Sequence, residues 1–406
     1  MTSQNRRPTM KDNQAKYPQL RFKGFTDPWE ERKLKELGDI QTGNTPPTSN
    51  LDNYSTDGVL WVTPTDIKTL VISDTAKKLS EVGVTKARIA KAGSILVTSI
   101  ASIGKNTLVT MDAGFNQQIN SLTPTPKNDS YFLLTQSEKW SEKMKKTAAS
   151  ATMQIVNKTD FSNISTFVPV HKEEQQKIGL FFRQLDNTIT LHQRKLAKLK
   201  ELKQGYLQKL FPRNGSKFPQ LRFSGFADAW EQRKLGDIVV FLNGRAYKQG
   251  ELLDSGKYPV LRVGNFNTND KWYYSDLELP AKNYADKGDL LYTWATAFGP
   301  HIWKGPKVIY HYHIWKVETT SDISKKFAVH LLDADQAQMT NSLNGSTMVH
   351  ITKGTMENKI VTIPGISEQR NMARLLDQLD CTIALHQRKL EKLQELKKGY
   401  LQKMFC

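Results

Sequence analysis

The chain of 406 residues contains one helix-forming segment twice. Positions 191–211 read LHQRKLAKLKELKQGYLQKLF and positions 385–405 read LHQRKLEKLQELKKGYLQKMF, so 17 of 21 residues are identical at a constant offset of 194. A second repeat opens each half, because PQLRF at 18–22 recurs at 219–223 and Trp29-Glu30 recurs as Trp230-Glu231. The segments between these ends hardly agree. We therefore expect one scaffold used twice with two different binding surfaces, for a partner with two distinct half-sites.

The charge and the cysteine content restrict the class of protein. A formal net charge of +18 and a pI near 9.6 favour a polyanionic partner through counterion release from phosphates. The chain has two cysteines, Cys381 and Cys406, which makes a disulfide framework improbable and fits a reducing cytoplasm. No apolar run approaches the roughly 20 residues of a membrane span. Residues 1–16 lack the apolar core of a signal peptide and are predicted to be a disordered polar lead.

The repeated tails are predicted to be two long helices, at 169–212 and 364–406. Apolar residues recur in steps of three and four, which indicates a coiled-coil seam that includes Leu202 and Leu396. One apolar stripe cannot stabilise a lone helix in water, so we expect the two helices to pack antiparallel around a pseudo-twofold axis. The predicted pairing residues are Leu185, Ile189, His192, Leu196, Leu199, Tyr206, Leu379, Ile383, His386, Leu390, Leu393 and Tyr400. We interpret the two histidines as polar contacts that fix the register rather than as a pH switch or a metal site.

The globular segments at 17–168 and 213–363 carry short apolar runs bounded by turn residues, which predicts strands. The predicted fold class is therefore α+β: two mixed, strand-rich domains separated by the two helices. A faint common frame survives between the segments at an offset of 195. Gly93, Leu96, Thr98 and Gly104 align with Gly288, Leu291, Thr293 and Gly299. One fold is thus expected twice, with different loops.

Signatures of catalysis are missing from the sequence. There is no Asn-Pro-Pro-aromatic motif of amino-methyltransferases and no glycine-rich loop suited to S-adenosylmethionine. Ile103-Gly104-Lys105 lacks the earlier glycine and the following Ser/Thr of a phosphate loop. The eight histidines do not show metal-ligand spacing, and strand alternation explains His311 and His313 as well as ligation does. We predict a chain without catalysis, metal or cofactor of its own.

Polar loops in both segments have the composition of nucleic-acid readers. Amide side chains can pair with adenine edges, and basic side chains beside aromatic ones suit phosphate and sugar contacts. An ordinary turn explains any single one of these residues equally well, so the stronger signal is that the loops differ between copies whose ends match. The candidate DNA-binding residues are Asn44, Thr45, Thr48, Thr65, Ser99, Ser102, Lys105, Asn116 and Gln117 in the first segment, and Arg245, Tyr247, Lys248, Asn265, Asn267, Trp294, Thr296 and His301 in the second.

Four features of the chain together resemble one known family. They are the repeated PQLRF opening with its RKL continuation, the strand and turn ending in Ile103-Gly104-Lys105, the pairs Glu174-Gln175 and Glu368-Gln369, and the LHQRKL…LKxGYLQKxF helices. In these the chain resembles the specificity subunit of type I restriction–modification enzymes over nearly its whole length. The second copy departs from the first, with Phe298-Gly299-Pro300 at the turn and Tyr310-His311 in place of Phe115-Asn116.

The resemblance implies two target recognition domains, each reading one half of a bipartite, non-palindromic DNA site. The paired helices would set the gap between the halves, which suits half-sites about one DNA turn, roughly 34–36 Å, apart. Two modification subunits would supply S-adenosylmethionine and adenine-N6 methylation. Motor-nuclease subunits with ATP and Mg²⁺ would complete a host-defence restriction enzyme in the cytoplasm.

Three alternatives remain open at this point. A self-contained methyltransferase or nuclease is disfavoured by the missing motifs. A coiled-coil adaptor whose divergent domains bind proteins predicts no salt-dependent DNA binding. A specificity chain of a fused, type II-like restriction system differs mainly in which protein brings the nuclease.

Overall fold

The computed structural model describes residues 16–149, 155–213, 215–266, 269–295, 298–342 and 351–406, with the side chains of 337–342 excepted. The predicted polar lead lies outside these ranges except for Lys16. The chain divides into two compact units. The first unit runs to Gln193 and includes Lys389–Cys406, and the second unit is Arg194–Arg388. Within the described ranges, no helix has the length and apolarity that crossing a membrane requires.

The first unit combines two five-stranded sheets and a two-stranded ribbon with helices. The strands are β1 Glu30–Lys33, β2 Gly38–Thr42, β3 Tyr54–Ser55, β4 Val59–Val62, β5 Val71–Ile72, β6 Lys78–Leu79, β7 Ile89–Ala90, β8 Ile95–Thr98, β9 Asn106–Val109, β10 Ala113–Phe115, β11 Ile119–Pro124 and β12 Ser165–Val168. The helices are α1 Leu34–Leu37, α2 Glu81–Lys86, α3 Ser130–Ala149, α4 Lys158–Ser162 and the long α5 Lys172–Leu210, which continues into the second unit. The sheet orders are β2-β11-β8-β9-β5, β3-β6-β4-β10-β7 and β1-β12.

Within its described residues, the second unit repeats this plan with fewer strands. Its strands are β13 Glu231–Lys234, β14 Val239–Asn243, β15 Tyr258–Leu261, β16 Tyr273–Ser275, β17 Tyr284–Ala285, β18 Leu290–Thr293, β19 Gly299–Ile302, β20 Val308–Tyr310, β21 Ile314–Thr319 and β22 Ile360–Ile363. Its helices are α6 Leu235–Ile238, α7 Lys325–Ser342, α8 Lys353–Glu357 and the long α9 Ile366–Lys403, which continues into the first unit. The sheet orders are β14-β21-β18-β19, β16-β15-β20-β17 and β13-β22.

The two units share one topology. β14-β21-β18-β19 repeats β2-β11-β8-β9, and β15-β20-β17 repeats β4-β10-β7. The inner strands β8 and β18 are buried at every residue, because each lies between two neighbours and packs on a core at both faces. One core includes α3 or α7, and the other is formed with the second sheet of the unit. The predicted α+β fold, used twice with different loops, is confirmed.

A buried ion pair anchors the opening motif of each unit. Arg21 Nε and Nη2 donate to the two carboxylate oxygens of Glu174 at 2.7 and 2.8 Å, and Arg222 makes the same pair of bonds to Glu368 at 2.8 Å each. Both glutamates lie in the first turn of a long helix, where the helix dipole favours a negative charge. The repeated PQLRF and Glu-Gln motifs therefore belong to one structural device that fixes the chain entry against the helix.

The long helices contact each other antiparallel within each unit. In the first unit, the Phe181 and Tyr400 rings lie 4.9 Å apart and Lys397 Nζ lies 2.9 Å from Asp186 Oδ1. In the second unit, Lys203 Nζ lies 2.8 Å from Asp380 Oδ1, the repeat-related partners of the same pair.

The prediction that Leu202 and Leu396 continue the seam is wrong. Each is 47% exposed. Lys203 and Lys397 are the next residues along each helix, and one residue along a helix is a rotation of about 100°. This rotation directs each lysine toward the partner helix, where it pairs with Asp380 or Asp186.

Candidate nucleic-acid interface

One parallel strand pair in each unit gathers the candidate loops. β4 runs parallel to β10, and β15 runs parallel to β20, whereas most other pairs are antiparallel. Parallel neighbours end on the same side, so the residues that follow them lie together. These are Thr63 and Asn116 in the first unit, and Arg262 and His311 in the second. The backbone N–H of Asn116 donates to the Val62 carbonyl at 3.0 Å, and that of His311 donates to the Leu261 carbonyl at 2.9 Å.

A glycine brings a third loop against each parallel pair. Gly43 N donates to the Ile119 carbonyl at 3.0 Å, and Gly244 N donates to the Ile314 carbonyl at 3.1 Å. A Cβ atom would lie 2.2 Å from the Phe115 carbonyl oxygen at Gly43 and 2.3 Å from the His311 carbonyl oxygen at Gly244. Only glycine allows this approach. We call residues 43–48, 63–66 and 116–118 the first recognition edge, and residues 244–248, 262–266 and 311–313 the second recognition edge.

The first recognition edge is a network of amide and hydroxyl groups. Asn116 Nδ2 donates to Thr45 Oγ1 at 2.9 Å, and Thr45 Oγ1 donates to Gln117 Oε1. Asn44 ties this edge to the end of α2, because its Oδ1 accepts from Arg88 N at 2.6 Å and its Nδ2 donates to the Lys86 carbonyl at 2.7 Å. Asn44, Thr45, Asn116 and Gln117 were all predicted, and the structure brings them together; whether they contact DNA stays a prediction.

The remaining candidates of the first unit lie in three settings. Ser99 is only 3% exposed, so its side chain does not face solvent. Its hydroxyl donates to the Gln118 carbonyl at 3.0 Å and thereby stabilises the loop of the first recognition edge. Thr48 and Thr65 are exposed on the edge itself. Ser102 and Lys105 lie on the turn after β8, beside a cavity of about 420 Å³ that Lys145 of α3 also lines.

Two arginines, Arg245 and Arg262, lie on the second recognition edge, in the loops that follow β14 and β15. Arg245 Nη2 donates to Glu251 Oε1 at 2.8 Å, and its guanidinium lies 5.4 Å from the centre of the Tyr247 ring. The guanidinium of Arg262 lies 4.3 Å from the centre of the Tyr273 ring. Burial raises the pKa of the Tyr247 hydroxyl above its ordinary value. Lys248 is exposed at the end of the same loop.

Aromatic rings fill the rest of this edge. The Tyr312 ring centre lies 4.4 Å from that of His311 and 3.9 Å from that of His313. Burial, together with repulsion from His313 and Arg262, lowers the pKa of His311 to about 4, so this imidazole is neutral at physiological pH. The predicted Trp294 donates its indole N–H to the Tyr312 carbonyl at 2.9 Å and thereby supports the cluster.

Two predicted residues of the second unit have other environments. Asn265 uses its amide to tie its own loop, donating to the carbonyls of Asn269 and Lys271 at 3.0 and 3.1 Å. His301 stacks on Phe266 with ring centres 4.3 Å apart and lines a cavity of about 550 Å³. Burial lowers the pKa of His301. Asn267 and Thr296 lie outside the described residues.

The sequence reasoning missed Arg88, Arg262 and Tyr312 as site residues. Arg262 follows an apolar run that was identified as a strand, and a basic residue directly after a buried strand is the signal that could have found it. Arg88 is recognised as a site residue only through its hydrogen bond with Asn44. The two residues are far apart in sequence, so no local pattern indicates the contact. Among the residues that the structure describes, no group of three or more His, Cys, Asp or Glu side chains could hold a metal ion.

A duplicated fold whose two edges carry different amide, arginine and aromatic side chains suits the class of proteins that bind a partner with two unlike half-sites. The sequence model of the family described as the type I restriction modification DNA specificity domain matches residues 26–201 and 227–395. The chain therefore belongs to the family of type I restriction–modification specificity subunits. It serves DNA sequence recognition and is itself non-catalytic, as part of a complex with methyltransferase and restriction subunits.

Relatives and solved structures agree with this assignment. The chain is 23% identical to the type I restriction enzyme MjaIX specificity subunit of Methanocaldococcus jannaschii, over 93% of this chain and 92% of that protein. It is 28% identical to the HindI specificity subunit of Haemophilus influenzae, over 43% of this chain and 39% of that one. The crystal structure of a type I system S subunit from M. genitalium matches with a TM-score of 0.66 at 16% identity, covering 96% of this chain and 99% of that one.

A chain from a structure of the type I system that addresses complex assembly and conformational transition matches with a TM-score of 0.54 at 16% identity, covering 92% of this chain and 97% of that one. At these identities the two structures show that the fold is shared.

Proposed function

We propose that the globular parts at 17–168 and 213–363 are target recognition domains that read the two unequal halves of a bipartite, non-palindromic DNA site. One observation carries the proposal: equivalent loops around the same parallel strand pair present Asn44, Thr63 and Asn116 in one copy and Arg245, Arg262 and His311 in the other. Base edges differ in their donors and acceptors, so surfaces with different side chains select different sequences.

Within each domain we assign the candidate residues to two tasks. Asn116, Gln117 and Arg245 lie on the recognition edges and are proposed to contact bases. Lys105 and Lys248 are exposed cations and are proposed to contact phosphates, which position the protein without reading sequence. The net charge of +18 supports the phosphate contribution.

We propose that the helices at 169–212 and 364–406 set the gap between the two halves. Antiparallel contacts in each unit support this, as do the predicted pairing residues, all of which are buried or half-buried. Inserting four residues within 195–202, about one helical turn, should change the gap in the recognised site while both half-sequences stay the same. An unchanged gap in a folded variant would contradict this role.

The complex that this chain serves is proposed to hold two modification subunits with S-adenosylmethionine, which methylate adenine at N6, and motor-nuclease subunits with ATP and Mg²⁺. Family membership supports the partners, and the stoichiometry is our proposal. We place the complex in the cytoplasm, because Cys381 and Cys406 are both free thiols, as expected in a reducing compartment.

A matched pair of variants tests the division of labour. Asn116→Ala and His311→Ala each remove one side chain that follows a parallel strand, one in each domain. With the modification subunit present, each variant should relax or alter the methylated site in one half only, and the two variants should affect opposite halves. If both variants change the same half, or if neither changes specificity while both fold, the one-domain-per-half assignment is wrong. If the complex never shows salt-dependent DNA binding, a protein-binding adaptor takes its place.

A further inference from the structure

Both arginines of the second recognition edge project from loops that the backbone holds together. Arg245 N donates to the Tyr310 carbonyl at 3.1 Å, and Tyr312 N donates to the Arg245 carbonyl at 3.0 Å. Arg262 follows β15, the strand that runs parallel to β20 and so ends beside His311. The two guanidinium groups therefore belong to one surface.

Each of these arginines is held in place from two sides. Arg245 has the Glu251 carboxylate as acceptor and the Tyr247 ring as a neighbour. Arg262 donates from Nη2 to the Lys271 carbonyl at 3.0 Å and lies over the Tyr273 ring. A guanidinium is a planar fork of five N–H donors, and these contacts fix where each fork lies in the free protein.

Both guanidinium groups also keep unpaired donors. Arg245 Nη1 and Arg262 Nε are shielded from solvent, and neither has a hydrogen-bond partner within the described part of the chain. Buried donors without acceptors are unfavourable, and these two atoms are closed to solvent in the free protein. A shift of each guanidinium toward a ligand's acceptor would satisfy a donor that the free protein leaves unpaired. Acceptors placed side by side match the fork best.

We propose that Arg245 and Arg262 make the second recognition edge a reader of guanine. In the major groove, guanine alone presents two adjacent acceptors, N7 and O6, whereas adenine and cytosine each present an amino donor and thymine a single acceptor. The inference rests on the proposed function, because it names the base that the second domain selects. It specifies that the half-site of this domain contains at least one required G·C pair.

The first recognition edge does not share this chemistry. Asn44 and Thr63 take the positions of Arg245 and Arg262, and the amides of Asn116 and Gln117 take the role of base readers there. Amide groups pair with adenine N6 and N7. The two halves of the target should therefore differ in base composition at the positions these residues read.

The binding measurement uses the wild-type chain in complex with its modification subunit, and variants serve only to assign the halves. After the Asn116→Ala and His311→Ala variants have assigned the halves, each guanine in the second domain's half is replaced in turn by 7-deazaguanine, which lacks N7. At one or more positions the replacement should lower the equilibrium affinity for DNA by about fivefold or more. This factor is the lower end of the discrimination that one bidentate contact between a side chain and a base provides. The inference is overturned if that half has no required G·C pair or if every replacement changes binding less than about twofold.

A matched pair of substitutions separates base reading from phosphate contact. Arg245→Gln should abolish the preference for guanine at one position and leave the other half-site unchanged. Lys248→Gln also introduces glutamine, in place of an exposed cation of the same loop. This variant should bind all sequences more weakly by the same factor, and its affinity for DNA should depend less on salt. If Arg245→Gln behaves like Lys248→Gln, the arginine contacts phosphate and the inference fails while the proposed function stands. If the wild-type complex has no bipartite preference at all, the proposed function itself fails.

Discussion

Removing Glu174 or Glu368 should destabilise the unit in which each glutamate lies. Each carboxylate is almost fully buried and accepts two hydrogen bonds from an arginine that is itself largely shielded from solvent. Taking away one partner of a buried ion pair leaves the other charge uncompensated, which costs about 3–5 kcal/mol. We therefore expect Glu174→Ala and Glu368→Ala each to lower the free energy of unfolding by about that amount.

The two units should not respond equally. Glu368 Oε2 also accepts from the Trp230 indole at 3.2 Å, whereas the equivalent Trp29 Nε1 is buried and has no hydrogen-bond partner among the residues that the structure describes. Glu368→Ala thus leaves one additional donor unpaired, which adds about 1 kcal/mol. Glu174→Ala changes nothing for Trp29, so the difference between the two variants isolates one hydrogen bond.

Urea unfolding monitored by tryptophan fluorescence would measure both losses, and hydrogen exchange would locate each loss in its unit. Glu30→Ala is the matched control, because Glu30 pairs with Arg32 on the surface with both side chains about half exposed, and such pairs contribute about 0–1 kcal/mol. If Glu174→Ala and Glu368→Ala cost no more than this control, the buried pairs do not anchor the opening motifs and the reasoning fails.

Three further predictions concern the helices, acid stability and the loop glycines. Lys203→Met and Lys397→Met should each lower the free energy of unfolding by about 1.5–3 kcal/mol, because each lysine bridges two carboxylates. The folded pKa of His311 is about 4 and lies below the unfolded value, so the unfolded state takes up the proton first as the pH falls. The wild-type chain should therefore lose about 1–2 kcal/mol of stability between pH 6.5 and 4 through this residue. His311→Asn should remove this part of the acid sensitivity in urea unfolding. Gly43→Ala and Gly244→Ala should each displace a recognition loop and alter methylation of one half-site only, as methylation profiling would show.

The controls for these predictions lie in the same elements. Lys200→Met changes an exposed lysine of α5 and should be nearly neutral, and Gly250→Ala adds a Cβ with no atom within 4 Å. Equal losses for Lys203→Met and Lys200→Met would contradict the bridging role. An identical pH dependence in the His311→Asn variant would show that this imidazole does not titrate as described. Unchanged specificity in Gly43→Ala would mean that the close approach can relax without consequence.

The long helices and the duplication could be predicted from the sequence because both depend on local regularities. The 3–4 spacing of apolar residues gives helix and seam at once, and the constant offset relates the copies. The exposure of Leu202 could not be predicted in this way, since a leucine and a lysine at neighbouring positions compete for the seam. Lys203 faces the partner helix in place of Leu202 because it pairs with Asp380 and Asp333, which come near the lysine only in the folded unit.

The recognition edges were only partly predictable. Thr45, Asn116 and Gln117 were identified from composition, and the structure joins them in one hydrogen-bond network. The parallel pairing of β15 with β20, which places Arg262 beside His311, joins strands almost 50 residues apart and leaves no local pattern. Ser99 looked like a loop residue but is buried, because β8 is an inner strand and its end is covered.

Single-molecule methylation profiling tests the central claim most directly. DNA from a methylation-free host that expresses this chain with its modification subunit would be compared with DNA from a host that lacks the chain. We expect a discontinuous motif of two short, unequal halves with a fixed gap, present only when this chain is present. If the chain co-purifies with the modification subunit and no such motif appears, the chain does not direct the complex to DNA and the account is wrong.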